Sequence, residues 1–273
     1  LDYMRTKFPD TDIFVFPEYS TGGTDFSPNN RVFDHIADWC RFNEKYVVIG
    51  AMQTLSSRPL ADNKFFNTAF VIGPEGQTVF KQVKSVPIQF FRDGGPALER
   101  RVWKSPFGRI GFAICYDFAF SHVMDDIVGQ GADLIIVPSL DARGWGKRAH
   151  DVLASIPPFR ARSYGIPVFR VVSSGISQAI TPQGVTVNRR EFGDMQAIMA
   201  WHPKLQQGRV PLGHPAAALL AKLSIGWGIL LVLWYSIKKS RMGGSGAEKE
   251  EQNRATLYAD PADASDSDSE LEN

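Results

Sequence analysis

Cysteine is scarce in this chain: there are two among 273 residues, Cys40 and Cys115. Two thiols cannot build a disulfide framework or a four-ligand zinc site. Neither sits in a Cys-x-x-Cys pair, so one bridge between them is all that composition permits. No run of Lys and Arg is interleaved with stacking aromatics, which argues against a nucleic-acid partner. No internal repeat or low-complexity segment precedes Met242. The chain opens at Leu1 on a polar stretch with no initiator methionine or apolar leader, and reads as a truncated start. Strong net charge is missing as well, at +1 overall, but that value averages unlike pieces. Residues 238–273 hold five basic and nine acidic side chains, a net of −4, which leaves +5 on residues 1–237. What is present, 44% apolar and 22% charged residues, excludes a disordered or collagen-like chain and suits one domain of roughly 200 residues with some chain to spare.

Residues 12–201 alternate short apolar or β-branched runs with helical patterns, the signature of an α/β layered domain. Strands are predicted at 13–16, 46–53, 68–72, 78–83, 109–115, 133–138, 167–172, 177–180 and 185–188. Gly73-Pro74-Glu75-Gly76 and Thr181-Pro182-Gln183-Gly184 supply hairpin turns. Helical patterns fill 31–43, 122–130 and 148–164, the last interrupted by Pro157-Pro158.

Residues 215–237 differ in kind, with Lys222 the single charge in 23 residues. As a helix, residues 216–237 reach about 33 Å, enough for a bilayer core of about 30 Å. Trp234 and Tyr235, then Lys238, Lys239 and Arg241, read as an interfacial belt followed by cytoplasmic anchors. The expected layout is a domain over 1–205, a linker over 206–214, one C-terminal transmembrane helix over 215–237 and an acidic disordered tail over 238–273. The tail would be cytoplasmic, and the domain would lie on the opposite face of the cell membrane.

Three segments carry candidate chemistry. Phe14 to Tyr19 ends an apolar strand in Pro17-Glu18, placing a partly desolvated carboxylate at the mouth of a sheet, where it suits a general base. The stretch from Phe80 to Pro87 holds Lys81 and Lys84, either of which could steady a thiolate and an oxyanion. Arg109 to Asp117 reads as a buried strand ending in Cys115. A thiol at a strand-to-helix turn has backbone N–H groups beside it as an oxyanion hole. Each residue alone also fits an ordinary structural role; the three in order, Glu18, the lysine and Cys115, point to chemistry.

That order, with FPEYS at 16–20, ICYD at 114–117, GADLIIVPS at 131–139 and RARSYGIPVFRVVSSGIS at 160–177, resembles the nitrilase (carbon-nitrogen hydrolase) superfamily over about residues 10–205. The resemblance implies a four-layer αββα sandwich and a Glu-Lys-Cys triad: Glu18 as base, Lys84 for the oxyanion and Cys115 as nucleophile, with the Tyr116 N–H sharing the oxyanion hole. Within the superfamily, residues 114–146 look like the apolipoprotein N-acyltransferase branch, with Asp117, Trp145, Gly146 and His150 in comparable places; the resemblance implies that Tyr116, Asp117 and Trp145 serve the oxyanion and the substrate. That branch follows its lysine with a Leu-Val-Pro-Phe-Gly-Glu-like run, whereas this chain reads Ser85-Val-Pro-Ile-Gln-Phe-Phe91. Gln89, Asp93 and Glu99 are the candidates for the missing carboxylate, and Lys81 is the alternative to Lys84. The implied enzyme forms a thioester from an acyl donor and passes it to an amine or to water, with membrane lipid as a partner and neither metal nor organic cofactor. An amidase for small amides and a catalytically silent binding domain are the alternative readings.

Overall fold

Period-two alternation decides which side chains each strand sends inward. In the computed structural model it builds two sheets. The structure describes residues 1–22, 24–28, 30–54, 65–191 and 199–257, with side chains to residue 239. A short helix α1 (Asp2–Lys7) precedes β1 (Ile13–Val15) and α2 (Arg31–Asn43); β2 (Tyr46–Thr54), β3 (Phe65–Ile72) and β4 (Thr78–Val83) follow. These strands form a sheet ordered β1-β2-β3-β4, with β1 parallel to β2 and the rest antiparallel. Then come β5 (Val102–Ser105), β6 (Gly108–Phe112), α3 (Ser121–Gly129), β7 (Leu134–Leu140), α4 (Gly146–Tyr164), β8 (Val168–Ser173), β9 (Ser177–Ile180) and β10 (Thr186–Arg190). The second sheet runs β10-β9-β8-β7-β6-β5, with β6, β7 and β8 parallel.

Three apolar clusters show the layering. Phe33, Ile36, Ala37 and Cys40 of α2 pack on Val47, Ile49, Phe70 and Ile72, the outer face of the first sheet. Val48, Ala69 and Val71 point the other way, onto Ile110, Phe112, Leu134 and Ile136 of the second. Val123, Met124 and Ile127 of α3, with Ala161 and Tyr164 of α4, cover Ala113, Ile135, Val137 and Val168 on the far face. The order is helix, sheet, sheet, helix: an αββα sandwich. Its parallel strands join through α3 and α4, which places both helices on one face.

The elements depart from expectation in physically readable ways. The strand expected at 109–115 stops at Phe112, because Cys115 takes a left-handed backbone (φ 50°) and opens a 3-10 turn, Cys115–Ala119. Helix α4 runs through Pro157 and Pro158 unbroken. Ala154, Pro157, Ala161 and Tyr164 form a buried stripe at helical spacing, so packing outweighs the missing N–H donors. Strand β5 and helix α1 were not expected; Trp39 Nε1 donates to Asp2 Oδ1 at 2.7 Å, tying α1 to α2.

Residues 206–210, read as linker, belong to the domain instead. The amides of Gln206, Gly208 and Arg209 donate to the carbonyls of Asp133, Ala132 and Tyr164 at 3.1, 3.0 and 2.8 Å. The compact unit ends at Pro211. Beyond it, helix α5 (Gly213–Leu257) continues past the expected end at 237, so residues 238–257 of the expected disordered tail are helical; residues 258–273 lie outside the described residues. Within α5, Gly213–Lys239 is long and apolar enough to cross a membrane.

Asp117 was expected at the substrate, and the structure turns it inward. The 3-10 turn aims its carboxylate at backbone amides of both sheets: Ser85 at 3.0 Å to each oxygen, Val86 at 2.7 Å and Ile114 at 3.2 Å. It is a clamp that ties the exit of β4 to the end of β6. Burial pushes its carboxyl up to about 6, against the opposing pull of those N–H groups.

Two predictions follow from this packing. A Cβ on Gly111 would lie 2.3 Å from Ile127 Cγ2, so α3 rests directly on β6 there. Gly111→Ala should cost about 1–3 kcal/mol in urea unfolding. For Asp117, the folded pKa exceeds the unfolded one, so the native state binds more protons between about pH 4 and 6 and stability falls as pH rises through that window. The difference between wild type and Asp117→Asn should therefore change by on the order of 3 kcal/mol across it, measured by urea unfolding at pH 4, 5 and 6.

Candidate active site

The carboxyl ends of β1, β6 and β7 converge at one end of the sandwich, where open α/β sheets bind ligands. Glu18 follows β1. Its backbone passes so close to β2 that a Cβ on Gly50 would lie 2.5 Å from Glu18 Cα and 2.7 Å from the Pro17 carbonyl oxygen. Only glycine fits there. The Ser20 amide donates to the Gly50 carbonyl at 2.8 Å, and Tyr19 takes a left-handed turn (φ 55°) that carries the Glu18 side chain inward.

Parity decides between the two lysines. Phe80, Gln82 and Lys84 share the face of β4 directed into the sandwich, where Phe80 stacks on Phe112 at 5.5 Å. Lys84 is 1% exposed, whereas Lys81 projects outward and is exposed. The Lys84 Nζ lies 2.9 Å from Glu18 Oε1 and 2.7 Å from Asp93 Oδ2, with both carboxylates buried. Of the three candidates for a second carboxylate position, Asp93 is thus the one at the site. Gln89 is exposed, and Glu99 pairs with Arg101 at the surface.

Hydrogen bonds brace both anions. Asn67 Nδ2 donates to Glu18 Oε1 at 2.6 Å and to Asp93 Oδ1 at 2.8 Å. Asp93 also accepts from the Tyr19 hydroxyl at 2.8 Å and the Ile88 amide at 2.9 Å. Glu18 Oε2 accepts from the Leu140 amide at 2.8 Å, a bond from one sheet to the other across 122 residues. Asn67 lies on the inward face of β3, shared with Ala69 and Val71. The loop bearing Asp93 hooks onto the start of β3 through the Gly95 amide and the Phe65 carbonyl at 2.9 Å.

Cys115 packs against the cluster between the sheets, and its thiol donates to the Leu140 carbonyl at 3.8 Å. The two ends of Leu140 thus touch Glu18 and Cys115. Both cysteines are free, and Cys40 is buried on the inner face of α2. Burial and the Glu18 charge push the Cys115 thiol up to about 12, against the pull of Lys84. Burial disfavours the Lys84 ammonium, but Glu18, Cys115 and Asp93 together overcome this and raise its pKa above the usual lysine range. Burial likewise opposes ionisation of Asp93, and the Lys84 charge with the bonds from Lys84, Ile88 and Asn67 reverses the effect, so its carboxyl sits below the usual value. At neutral pH the centre therefore holds a protonated thiol, an ammonium and an ionised Asp93.

Other residues expected here lie around this centre. Tyr116 is half-exposed, its ring edge-on to Phe120 at 4.8 Å. Trp145 is exposed and its ring lies 6.4 Å from that of Phe91. Gly146 begins α4 with a left-handed backbone (φ 75°), and His150 is buried in the same helix. The segments that hold Asp93, Leu140 and Cys115 thus carry exposed Phe90, Phe91, Leu140, Tyr116 and Trp145. Asn67, Tyr19 and Leu140 were not anticipated. The inward parity of Asn67 on β3 was a readable signal; the backbone role of Leu140 had none.

Known proteins resemble this chain in sequence and in fold. A formamidase of Bacillus thuringiensis (strain Al Hakam) is 28% identical over 149 residues, and one of Bacillus anthracis matches equally. The match covers 48% of this chain and 42% of the formamidase, so the chain spans about two fifths of the length of those relatives. The fold is similar to that of a carbon-nitrogen hydrolase from Helicobacter pylori G27 (TM-score 0.58, 15% identity, 70% of this chain and 76% of that one). It is similar also to Saccharomyces cerevisiae Nit3 (TM-score 0.58, 20% identity, 70% and 77%) and to an amidase from Nesterenkonia sp. (TM-score 0.55, 17% identity, 69% and 76%). A profile of the carbon-nitrogen hydrolase family matches residues 3–214. With that match spanning most of the chain, this protein belongs to the carbon-nitrogen hydrolase family.

Proposed function

We propose that this protein breaks an amide or ester bond through a thioester on Cys115, with Glu18 moving the proton and Lys84 holding the oxyanion. The observation that carries this reading is the buried Lys84 ammonium, held between Glu18 and Asp93 beside the free thiol. Glu18 takes the thiol proton as sulfur attacks the carbonyl carbon. The developing oxyanion is held by Lys84 Nζ and the Tyr116 N–H. On collapse Glu18 returns the proton to the leaving nitrogen or oxygen, and the acyl group stays on sulfur. Water or an amine then gives Glu18 a proton and attacks the thioester; the C–S bond breaks, and Glu18 passes that proton to the departing sulfur, restoring the thiol. Asp93 holds Lys84 throughout.

The acyl group is apolar in this reading. Phe90, Phe91, Tyr116 and Trp145 are exposed on the segments that carry the centre, a surface suited to an acyl chain more than to a small polar amide. The likeness of residues 114–146 to the N-acyltransferase branch, and the apolar stretch Gly213–Lys239 as an anchor with Lys238, Lys239 and Arg241 on the cytoplasmic side, support a lipid-derived donor and an amine acceptor. The second reading is hydrolysis of a small amide, favoured by the formamidase and amidase relatives.

Hydrolysis of p-nitrophenyl acetate, butyrate and octanoate by the full chain distinguishes them. For an apolar acyl site kcat/KM should rise by up to about fourfold per methylene buried; a preference for acetate would favour the small-amide reading. Intact mass after acid quench should show an acyl adduct on wild type and none on Cys115→Ala, and an unchanged rate in Cys115→Ala would sink the mechanism. Lys84→Met should lower kcat by about 10²–10³-fold, the cost of removing one oxyanion donor.

A further inference from the structure

Two buried charges beside the centre take no part in the chemistry above. Arg170 on β8 donates through Nη2 to both carboxylate oxygens of Asp141, at 3.0 and 2.8 Å, and through Nη1 to the Ile176 carbonyl at 2.9 Å. Asp141 is 1% exposed and Arg170 5%. A buried ion pair is costly to assemble and is weak support for stability alone, so its location calls for another explanation. Asp141 is the residue after Leu140. The Leu140 carbonyl that accepts from Cys115 and the Asp141 amide that donates to the Ser173 carbonyl at 3.2 Å are two ends of one rigid peptide plane. The other amide of Leu140 carries Glu18.

The turn beneath is shaped to the same carboxylate. Ser174 takes a left-handed backbone (φ 61°), and a Cβ on Gly175 would lie 2.4 Å from Asp141 Oδ2. His150 Nδ1 lies 3.8 Å from that oxygen on the α4 side. The carboxylate is therefore enclosed by β8, by the turn after it and by α4.

We propose that Asp141 and Arg170 are a positioning pair: anchoring Asp141 fixes the Leu140–Asp141 peptide, and through it the carbonyl facing Cys115 and the amide holding Glu18. The pair touches neither substrate nor sulfur and acts through Leu140. This rests on the reading of Cys115 as nucleophile, so its test reads the thiol itself, without any substrate.

The experiment is iodoacetamide alkylation of the full chain at pH 7, with the rate at Cys115 followed by peptide mapping and the thermal unfolding midpoint measured alongside. Wild type should label at Cys115 and not at Cys40; failure of that step overturns the nucleophile reading, and the pairing with it. Given that step, the neutral pair Asp141→Asn with Arg170→Gln should slow Cys115 alkylation about tenfold or more while unfolding stays cooperative. Gly175→Ala, which keeps both charges and displaces the carboxylate, should slow it in the same direction. Arg170→Lys, which keeps charge and loses the two-pronged contact, should fall between. A wild-type alkylation rate in any folded member of this set overturns the proposal. Failure of all three to fold overturns it too, because the pair would then be a folding element.

Discussion

Everything at this site depends on keeping one ammonium out of water. Burying Lys84 costs several kcal/mol in lost hydration, and the cost is met only because two carboxylates meet its Nζ at 2.9 and 2.7 Å. Those anions in turn must be satisfied, and they are: Glu18 accepts from Lys84, Asn67 and Leu140, and Asp93 from Lys84, Asn67, Tyr19 and Ile88. The donors come from β3, the end of β4, the loop after it, the turn after β1 and the end of β7. The sandwich cannot slide one sheet over the other without stranding a buried charge. Asn67 admits one orientation only, since its oxygen facing two anions would repel both. Electrostatics and fold thus specify each other.

The sequence made some of this arrangement legible. Strict alternation over Phe80, Gln82 and Lys84 separates Lys84 from Lys81, because one residue of offset reverses the face. The layered α/β pattern and most strands are likewise readable, since each buries one apolar face. Asp93 was one of three open choices because it lies in a loop without periodicity, and two of the partners that select it, Tyr19 and Asn67, are 74 and 26 residues away in the chain. Asp117 misled through the resemblance: the N-acyltransferase pattern puts an acid there beside the substrate, but the turn starting at Cys115 directs this one back into the backbone. Pro157-Pro158 misled in the opposite sense, since local propensity yields to a well-packed helical stripe. The end of an apolar run marks where hydropathy changes and not where a helix stops, so α5 outlasts residue 237.

In the proposed mechanism the second carboxylate is what lets so dry a centre react. Burial pushes the Cys115 thiol up to about 12, so a free thiolate is scarce at neutral pH and attack must be coupled to proton transfer. In the proposed step the thiol proton passes to Glu18, so one negative charge moves from the carboxylate to sulfur and the net buried charge does not change. Most of the desolvation penalty cancels between the two states. Had Lys84 only Glu18 as its partner, protonating Glu18 would leave the ammonium with the nascent thiolate alone. With Asp93 at 2.7 Å it keeps an anion through the whole cycle, and Glu18 is free to gain and lose a proton. In the proposed mechanism one carboxylate holds the cation and the other moves the proton, a division of labour set by which of them also faces Leu140 and, through it, the sulfur.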